Sequence, residues 1–438
     1  GGRHAPAVGL GAIIGVGIFL TPGKVAAVAG SPGGALMLWV TGGVIALAGA
    51  LSMAEIGARY PTSGGEIVAL QRMLGPLPAF LFGWCLLTAI QTGVLVIVTL
   101  FAAQNLGAAL GAEWSPAVVS LVATAMLLAL MVVNLLGVKQ GAAAQTTTVA
   151  LKLLALAGLT AVGAWVALGG EPVAPVAATP APEVSADVPW LAGLAACLFS
   201  YGGFHQVTWI GGEVRDPQRT LPRAILIGVA IVVVCYLAAN LTYFRLLPFD
   251  TVTSSGTLAA DAIGTVLPGW GRRLTAIALA VSAFGLANTL LLTSPRVYFA
   301  LAQEGLFPRA LGRLDGGRGV PAPAILAQGG LAVGLLWLAG GERMDSLVNG
   351  VVFVDWIFHI LACCGLMLVW RRGDPAPGYR TPLMPIPPLV FVLGSAVALG
   401  ATFLDPEVRQ SSLIGVAWVG AGCLVYAAMR ARRRRPAP

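Results

Sequence analysis

Long uncharged apolar runs alternate along the chain with short polar or basic breaks. The stretches 25–54, 73–112 and 114–138 contain no charged residue at all. None shows the period-two alternation of a barrel strand, and each is long enough for a helix, which needs about 20 apolar residues to cross a bilayer. Helices are then the structure that satisfies its own backbone in lipid. Cutting at charges, prolines and turn clusters predicts twelve spans, near 6–29, 34–58, 77–107, 117–136, 143–169, 188–212, 221–246, 270–302, 321–340, 344–370, 383–404 and 410–430. Several exceed the bilayer's thickness, which implies tilt or extension beyond it.

Composition agrees. Of 438 residues, 57% are hydrophobic and 10% charged, against roughly 25% charged in a soluble domain. Too few polar residues exist to cover a soluble surface, and disorder, a collagen-like fibre and nucleic-acid binding are excluded with it, despite a net charge of +8. The basic residues mark topology instead. With both ends on one side, that side carries 19 of the 26 Lys and Arg, including Arg215, Arg219, Arg223, Arg371, Arg372 and the run Arg432 to Arg435. Both termini are therefore expected in the cytoplasm of a multi-pass cell-membrane protein. The six cysteines (Cys85, Cys197, Cys235, Cys363, Cys364 and Cys423) lie in apolar runs without a CxxC. They read as small buried hydrophobes, not a disulfide or zinc framework. No cleavable signal peptide stands out, and a start without Met suggests native residues ahead of Gly1.

Two spans interrupt their own helical pattern. The first carries Gly11-Ala12-Ile13-Ile14-Gly15-Val16-Gly17-Ile18-Phe19, and the sixth carries Phe199-Ser200-Tyr201-Gly202-Gly203-Phe204-His205. Glycine costs about 1 kcal/mol in a helix interior, so such positions invite unwinding. Unwound backbone at that depth is tolerated beside a cavity or a bound polar ligand; close helix packing is the competing explanation. The two breaks occupy matching places if the chain is two five-helix repeats plus two further helices, an arrangement that points to a transport site. Half-helix N-termini offer N–H groups to a carboxylate, and free carbonyls receive an ammonium, so a zwitterion suits both.

Several motifs then carry a resemblance. They are Ile13-Ile14-Gly15-Val16-Gly17-Ile18-Phe19, Ala29-Gly30-Ser31-Pro32-Gly33, Ala54-Glu55-Ile56-Gly57 and Ser63-Gly64-Gly65-Glu66. Further on come Lys152-Leu153-Leu154-Ala155-Leu156, Phe199 to Phe204, Asp216-Pro217 with Leu221-Pro222, Ser282-Ala283-Phe284-Gly285 with Asn288, and Ser294-Pro295-Arg296 with Glu304-Gly305. In this order the chain resembles the amino acid–polyamine–organocation superfamily, and within it the L-type amino acid transporters, over nearly its whole length. The resemblance implies an all-α membrane protein with a LeuT-like 5+5 inverted repeat: residues 1–169 as the first repeat, 188–370 as the second, and 383–430 as two additional helices. It implies amino acid transport by alternating access, with the backbone of Ile13, Gly15, Val16 and Gly17 on the substrate carboxylate and ammonium. Carbonyls near Phe199 and Gly202 would complete the ammonium site, with Phe199 as a thin gate. Side-chain selectivity would come from the sixth, eighth (Ser282 to Asn288) and tenth spans, with His205 and Asp355 joining the substrate-binding set. Three departures stand out. Val16 replaces the usual Ser, His205 and Asp355 stand where L-type relatives often carry Asn, and the loop Gly107 to Pro116 lacks the Cys by which animal relatives hold a heavy chain. No disulfide-linked heavy-chain subunit is therefore expected.

Ionisable groups inside spans are functional candidates. Lys152 lies about nine residues into the fifth span, roughly 13 Å of rise. Snorkelling is one reading; the resemblance instead places its ammonium near Gly15 and Ser282, where sodium-coupled relatives bind sodium, making that ion unnecessary. Asp355 and His359, four apart, share a helix face, either as a mutually satisfied structural pair or with Asp355 facing the cavity to accept a proton or a positive substrate side chain. His205 is expected to face Asp355. Lys24 and Glu55 read as snorkelling or loop-salt-bridge residues, and Asp216-Pro217 with Glu213, Arg215 and Arg219 as a capped turn and a candidate inner gate.

The chain lacks a P-loop, an HExxH and a nucleophile elbow. An intramembrane enzyme built on His205, His359 and Asp355 would want a nucleophile or a complete ligand set, and a channel would want a continuous polar stripe. The expectation is a non-enzymatic secondary transporter of amino acids without cofactor or resident metal, working by sodium-independent exchange. Proton-coupled uptake of amino acids, amines or polyamines is the alternative.

Overall fold

The structure is a computed structural model describing residues 15, 17–170, 190–339, 344–375, 378–404 and 406–434. Among these it is helical, and the one β-type contact is the isolated bridge between Ser63 and Ile210. In chain order the helices are α1 (Gly17–Leu20), α2 (Pro22–Ala29), α3 (Pro32–Arg59), α4 (Gly65–Leu74), α5 (Pro76–Cys85), α6 (Gln91–Leu110), α7 (Pro116–Leu136), α8 (Val138–Ala167) and α9 (Ala192–Tyr201). There follow α10 (Pro217–Leu246), α11 (Phe249–Ser254), α12 (Leu258–Gly264), α13 (Gly271–Gln303), α14 (Ala322–Ala339), α15 (Met344–Arg371), α16 (Ile386–Thr402) and α17 (Pro406–Arg434). Eight helical stretches among the described residues are long and apolar enough to cross a membrane, and α14 and α16 are shorter apolar helices.

Their ends follow local rules. Ser31 accepts a hydrogen bond from the Gly34 N–H at 3.1 Å, with Pro32 as the first residue of α3; Ser115 and Pro116 repeat the device at α7. A hydroxyl at the cap satisfies an orphan donor, and proline loses nothing where no N–H partner exists. Gly111 ends α6 in the left-handed region, at φ 70°. Asp216 also sits at a helix start, but its side chain makes no cap; the turn is held by its backbone at φ 46°, ψ 58°. The helix it precedes begins at Pro217, leaving Pro222 inside α10.

Four features depart from uniform spans. Five residues of π-helix, Leu86–Ile90, join α5 to α6 inside the third span, and the Thr92 hydroxyl bonds the Leu87 carbonyl five residues back. The segment between the second and third spans folds as α4, whose residues Glu66 to Leu70 are buried. The short helices α11 and α12 fill the loop before α13. The sixth span is broken at Gly202–Gly203.

Small residues bring the helices together. At Gly42 of α3 a Cβ would lie 2.9 Å from that of Cys197, so α3 and α9 approach as glycine-bearing membrane helices do. Behind them Trp39, Tyr201 and Tyr236 form a buried aromatic triangle with centroids 5.4–5.9 Å apart, and the Tyr201 hydroxyl donates to the Trp39 carbonyl at 3.1 Å. The outside is apolar, with Val234, Leu338, Leu393 and Leu424 exposed, as a bilayer-facing surface must be. The cysteines are unpaired; Cys85, Cys197 and Cys363 are buried, whereas Cys423 is exposed on this outer face, against the expectation of uniform burial.

Candidate functional site

The sixth span stops at Tyr201 and resumes as a 3-10 turn, Phe204–Trp209. Between them Gly202 is extended (φ −64°, ψ 175°) and Gly203 left-handed (φ 90°), a conformation that costs a side-chain-bearing residue about 1–2 kcal/mol. The Phe199 carbonyl accepts from the Gly202 N–H at 3.2 Å. Phe199 itself is half-buried.

The described end of the first span packs directly against this break. A Cβ at Gly17 would stand 2.8 Å from both Cα and Oγ of Ser200, so glycine is what lets the segments touch. Thr21 fastens them: its hydroxyl bonds the Gly17 carbonyl at 2.9 Å and lies 2.7 Å from the Ser200 hydroxyl. Gly15 is held from two further helices, its carbonyl 3.5 Å from Ser282 Oγ of α13 and its backbone bonded to the Tyr236 hydroxyl of α10. Ile13 and Val16 lie outside the described residues.

Lys152 is buried on α8, which packs against α10 and α13; one turn earlier on the same helix, Thr148 fills the space at Gly285 of α13. Asn288 is engaged by a fourth-span residue, its Oδ1 accepting from Asn134 Nδ2 at 3.0 Å. Asn134 went unnoticed in the sequence, where one amide inside an apolar helix has no local pattern to mark it.

The larger surprise is Glu66. Gly64 (φ 87°) and Gly65 (φ 37°) turn the chain tightly onto the 3-10 turn, where the Gly64 N–H donates to the Trp209 carbonyl at 2.9 Å. A side chain at Gly65 would collide with the Thr208 carbonyl. The Glu66 N–H donates to Thr208 Oγ1 at 3.3 Å, and that hydroxyl donates to the His205 carbonyl at 2.7 Å. Glu66 is thereby delivered, fully buried, to His359, whose Nδ1 is 2.8 Å from its Oε1. The other ring nitrogen, Nε2, faces Asp355 Oδ2 at 3.3 Å. His205 does not pair with Asp355 as expected; its ring lies against His359, centroids 4.0 Å apart. An aromatic shell of Phe82, Trp209 and Trp356 encloses both rings. The signal available in the sequence was a Gly-Gly pair feeding an acid straight into the apolar run Ile67-Val68-Ala69-Leu70.

At the polar ends, Glu213 pairs through two contacts with the buried Arg296, including Nη2 to Oε2 at 3.2 Å. This links the loop after the sixth span to α13. Glu55 pairs with Arg59 at 2.7 Å and accepts from the Thr381 N–H at 2.8 Å, the salt-bridge role expected of it.

Comparison with known proteins identifies the family. Residues 4–429 match the amino acid permease family. The serine/threonine exchanger SteT of Bacillus subtilis is 30% identical over 430 residues, covering 97% of this chain and 95% of the relative. The b(0,+)-type amino acid transporter 1 of Mus musculus is 31% identical, covering 91% and 81%. The large neutral amino acids transporter small subunit 2 of Rattus norvegicus is 32% identical, covering 87% and 72%. With buried polar backbone at a broken span, an apolar exterior and a match along almost its entire length, this chain belongs to the amino acid permease family of the amino acid–polyamine–organocation superfamily.

Proposed function

We propose that this chain exchanges small amino acids across the cell membrane, without sodium, by alternating access. The observation that carries the reading is the interrupted sixth span at Gly202–Gly203, packed at Gly17 and Ser200 onto the first. Backbone groups freed at such a contact suit a carboxylate and an ammonium. Ile13, Gly15, Val16, Gly17, Phe199 and Gly202 are the substrate-binding set of this proposal, and Phe199 the gate. Twelve spans in two inverted repeats, 1–169 and 188–370, with 383–430 appended, form its framework. In this proposal the buried Lys152 and Ser282 take the role of a coupling ion, and the Arg excess between spans supports cytoplasmic termini. The relatives' names, an exchanger and two transporters, support amino acids as the substrate class.

Counterflow in proteoliposomes tests it. Labelled amino acid should enter faster when unlabelled amino acid is inside, in sodium-free buffer; uptake indifferent to internal substrate would end the exchange reading. A second reading, carriage of a cationic amino acid or amine, is favoured by Asp355. Its side chain is 18% exposed and its Oδ1 has no hydrogen-bond partner among the described residues. In that case Asp355→Asn would lower uptake of lysine-like substrates at least tenfold while sparing serine-like ones.

A further inference from the structure

The chain has three histidines, and two of them, from the sixth and tenth spans, meet at 4.0 Å between ring centroids. A carboxylate from a third element joins them: one ligating atom each from Glu66, His205 and His359 lies within 4.8 Å of the others, and all three residues are buried. Polar atoms are left over at this spot. Neither nitrogen of His205 has a hydrogen-bond partner among the described residues, nor do Glu66 Oε2 and Asp355 Oδ1. A buried polar group without a partner costs about 1–3 kcal/mol, so a cluster of them marks a place where something polar belongs.

The donor set narrows what that is. A carboxylate–imidazole pair explains the contact of Glu66 with His359 but leaves both nitrogens of His205 without a partner among the described residues. Two imidazoles and a carboxylate are the ligands of a borderline transition metal, whereas magnesium and calcium want oxygens alone. Ligand atoms around a tetrahedral zinc ion stand about 3.3 Å apart, from metal–ligand lengths of about 2.0–2.1 Å. Small side-chain rotations therefore close this set on one ion. The surroundings complete the design. Nδ1 of His359 faces Glu66 Oε1 at 2.8 Å, and Nε2 lies 3.3 Å from Asp355 Oδ2 without a hydrogen bond among the described residues, so a small rotation of Asp355 would make the carboxylate–histidine pairing that orients a ligating ring. Thr208 ties the backbones of Glu66 and His205 through one hydroxyl.

We propose that Glu66, His205 and His359 form a binding site for one divalent transition-metal ion of the zinc class, with Asp355 as the residue that positions His359. The ligands come from α4, the 3-10 turn beyond the break and α15, so an ion clamps the broken span to two other elements. On the exchange reading above, which this consequence and not the binding itself rests on, a bound ion slows transport by opposing movement of the break.

The test uses the full chain, purified and stripped with chelator, with cobalt(II) as probe and magnesium as control. One cobalt per chain is expected, with visible d–d absorption of a tetrahedral nitrogen–oxygen site, without thiolate charge-transfer bands, and displaced by zinc. His205→Asn and Glu66→Gln should each weaken binding more than tenfold. His205→Asn is the safer variant for folding because neither ring nitrogen has a hydrogen-bond partner among the described residues, and thermal melting of each variant checks this. No stoichiometric binding, binding with thiolate bands from the cysteines, or binding unchanged in folded His205→Asn would each overturn the site. Zinc should slow counterflow; intact binding with unaltered counterflow would overturn the clamp. Absence of counterflow in metal-free protein that still binds cobalt would instead end the exchange reading and leave the site standing.

Discussion

At Gly17 and Ser200 two segments meet because one of them has no side chain; at His205, two residues beyond Gly203, and His359, two segments meet ring against ring. The first contact is made of backbone and small residues, and the common ends of any amino acid would be held there. The second is made of imidazole and carboxylate, and its members come from segments separated by as many as 293 positions. The break therefore suits what all substrates share, and the cluster is where this chain can acquire a property of its own. The two are not independent, since Gly64 and Gly65 bring Glu66 onto the same 3-10 turn that the break creates.

That dependence gives the largest expected effect. Gly65→Ala places a Cβ against the Thr208 carbonyl in a left-handed backbone, and one of the two main chains must move. The cost should be about 4 kcal/mol or more, the range of exceptional single substitutions. Loss of a monodisperse peak and of the thermal transition in detergent is the expected result. A variant as stable as the parent would show that break and cluster are held separately.

Gly17→Ala comes next and acts on the break alone. Its methyl would meet Ser200 at 2.8 Å, and overpacking of this kind costs about 1–3 kcal/mol, leaving the protein folded. Uptake should fall more than tenfold because the first and sixth spans are pushed apart where the substrate's ends would sit, while cobalt binding at Glu66, His205 and His359 persists. Equal loss of both would merge the two regions into one site.

The contrast also explains what could be read from the sequence. Helix ends announced themselves locally: Ser115-Pro116 and Gly137 bracket α7, and the span expected at 270–302 is α13, Gly271–Gln303. The glycine pair at 202–203 was equally plain, because a break is a property of neighbouring residues. The π turn at Leu86–Ile90 carries no such mark, since its register is decided by packing. Helix α4 was missed because Glu66 and Arg72 made its apolar middle look like a loop between charges. Glu66 was visible as part of a motif, yet its role depended on Gly64 and Gly65 turning it toward a histidine in another span. Pairing His205 with Asp355 failed for the same reason: placing two residues on facing helices does not say which of two neighbours, Asp355 or His359, reaches across.

The smallest effect concerns Asn288, the residue assigned in advance to selectivity that the structure shows bonded to Asn134 at 3.0 Å. If the amide pair is a buried tie between α7 and α13, Asn288→Ala and Asn134→Ala should each cost about 1 kcal/mol. The thermal midpoint would drop by about 2 °C in a chain of this size, and a double-mutant cycle should return a coupling of at least about 0.5 kcal/mol. Transport rates would fall for every substrate alike, because a tie between two helices carries no information about the cargo. A changed order of preference among serine, alanine and leucine in Asn288→Ala, with Asn134→Ala leaving the order intact, would return Asn288 to the substrate. It would also show that side chains of α13 contribute to selectivity beyond the break at Gly202–Gly203, joining the backbone-built region to side chains that no local pattern marks.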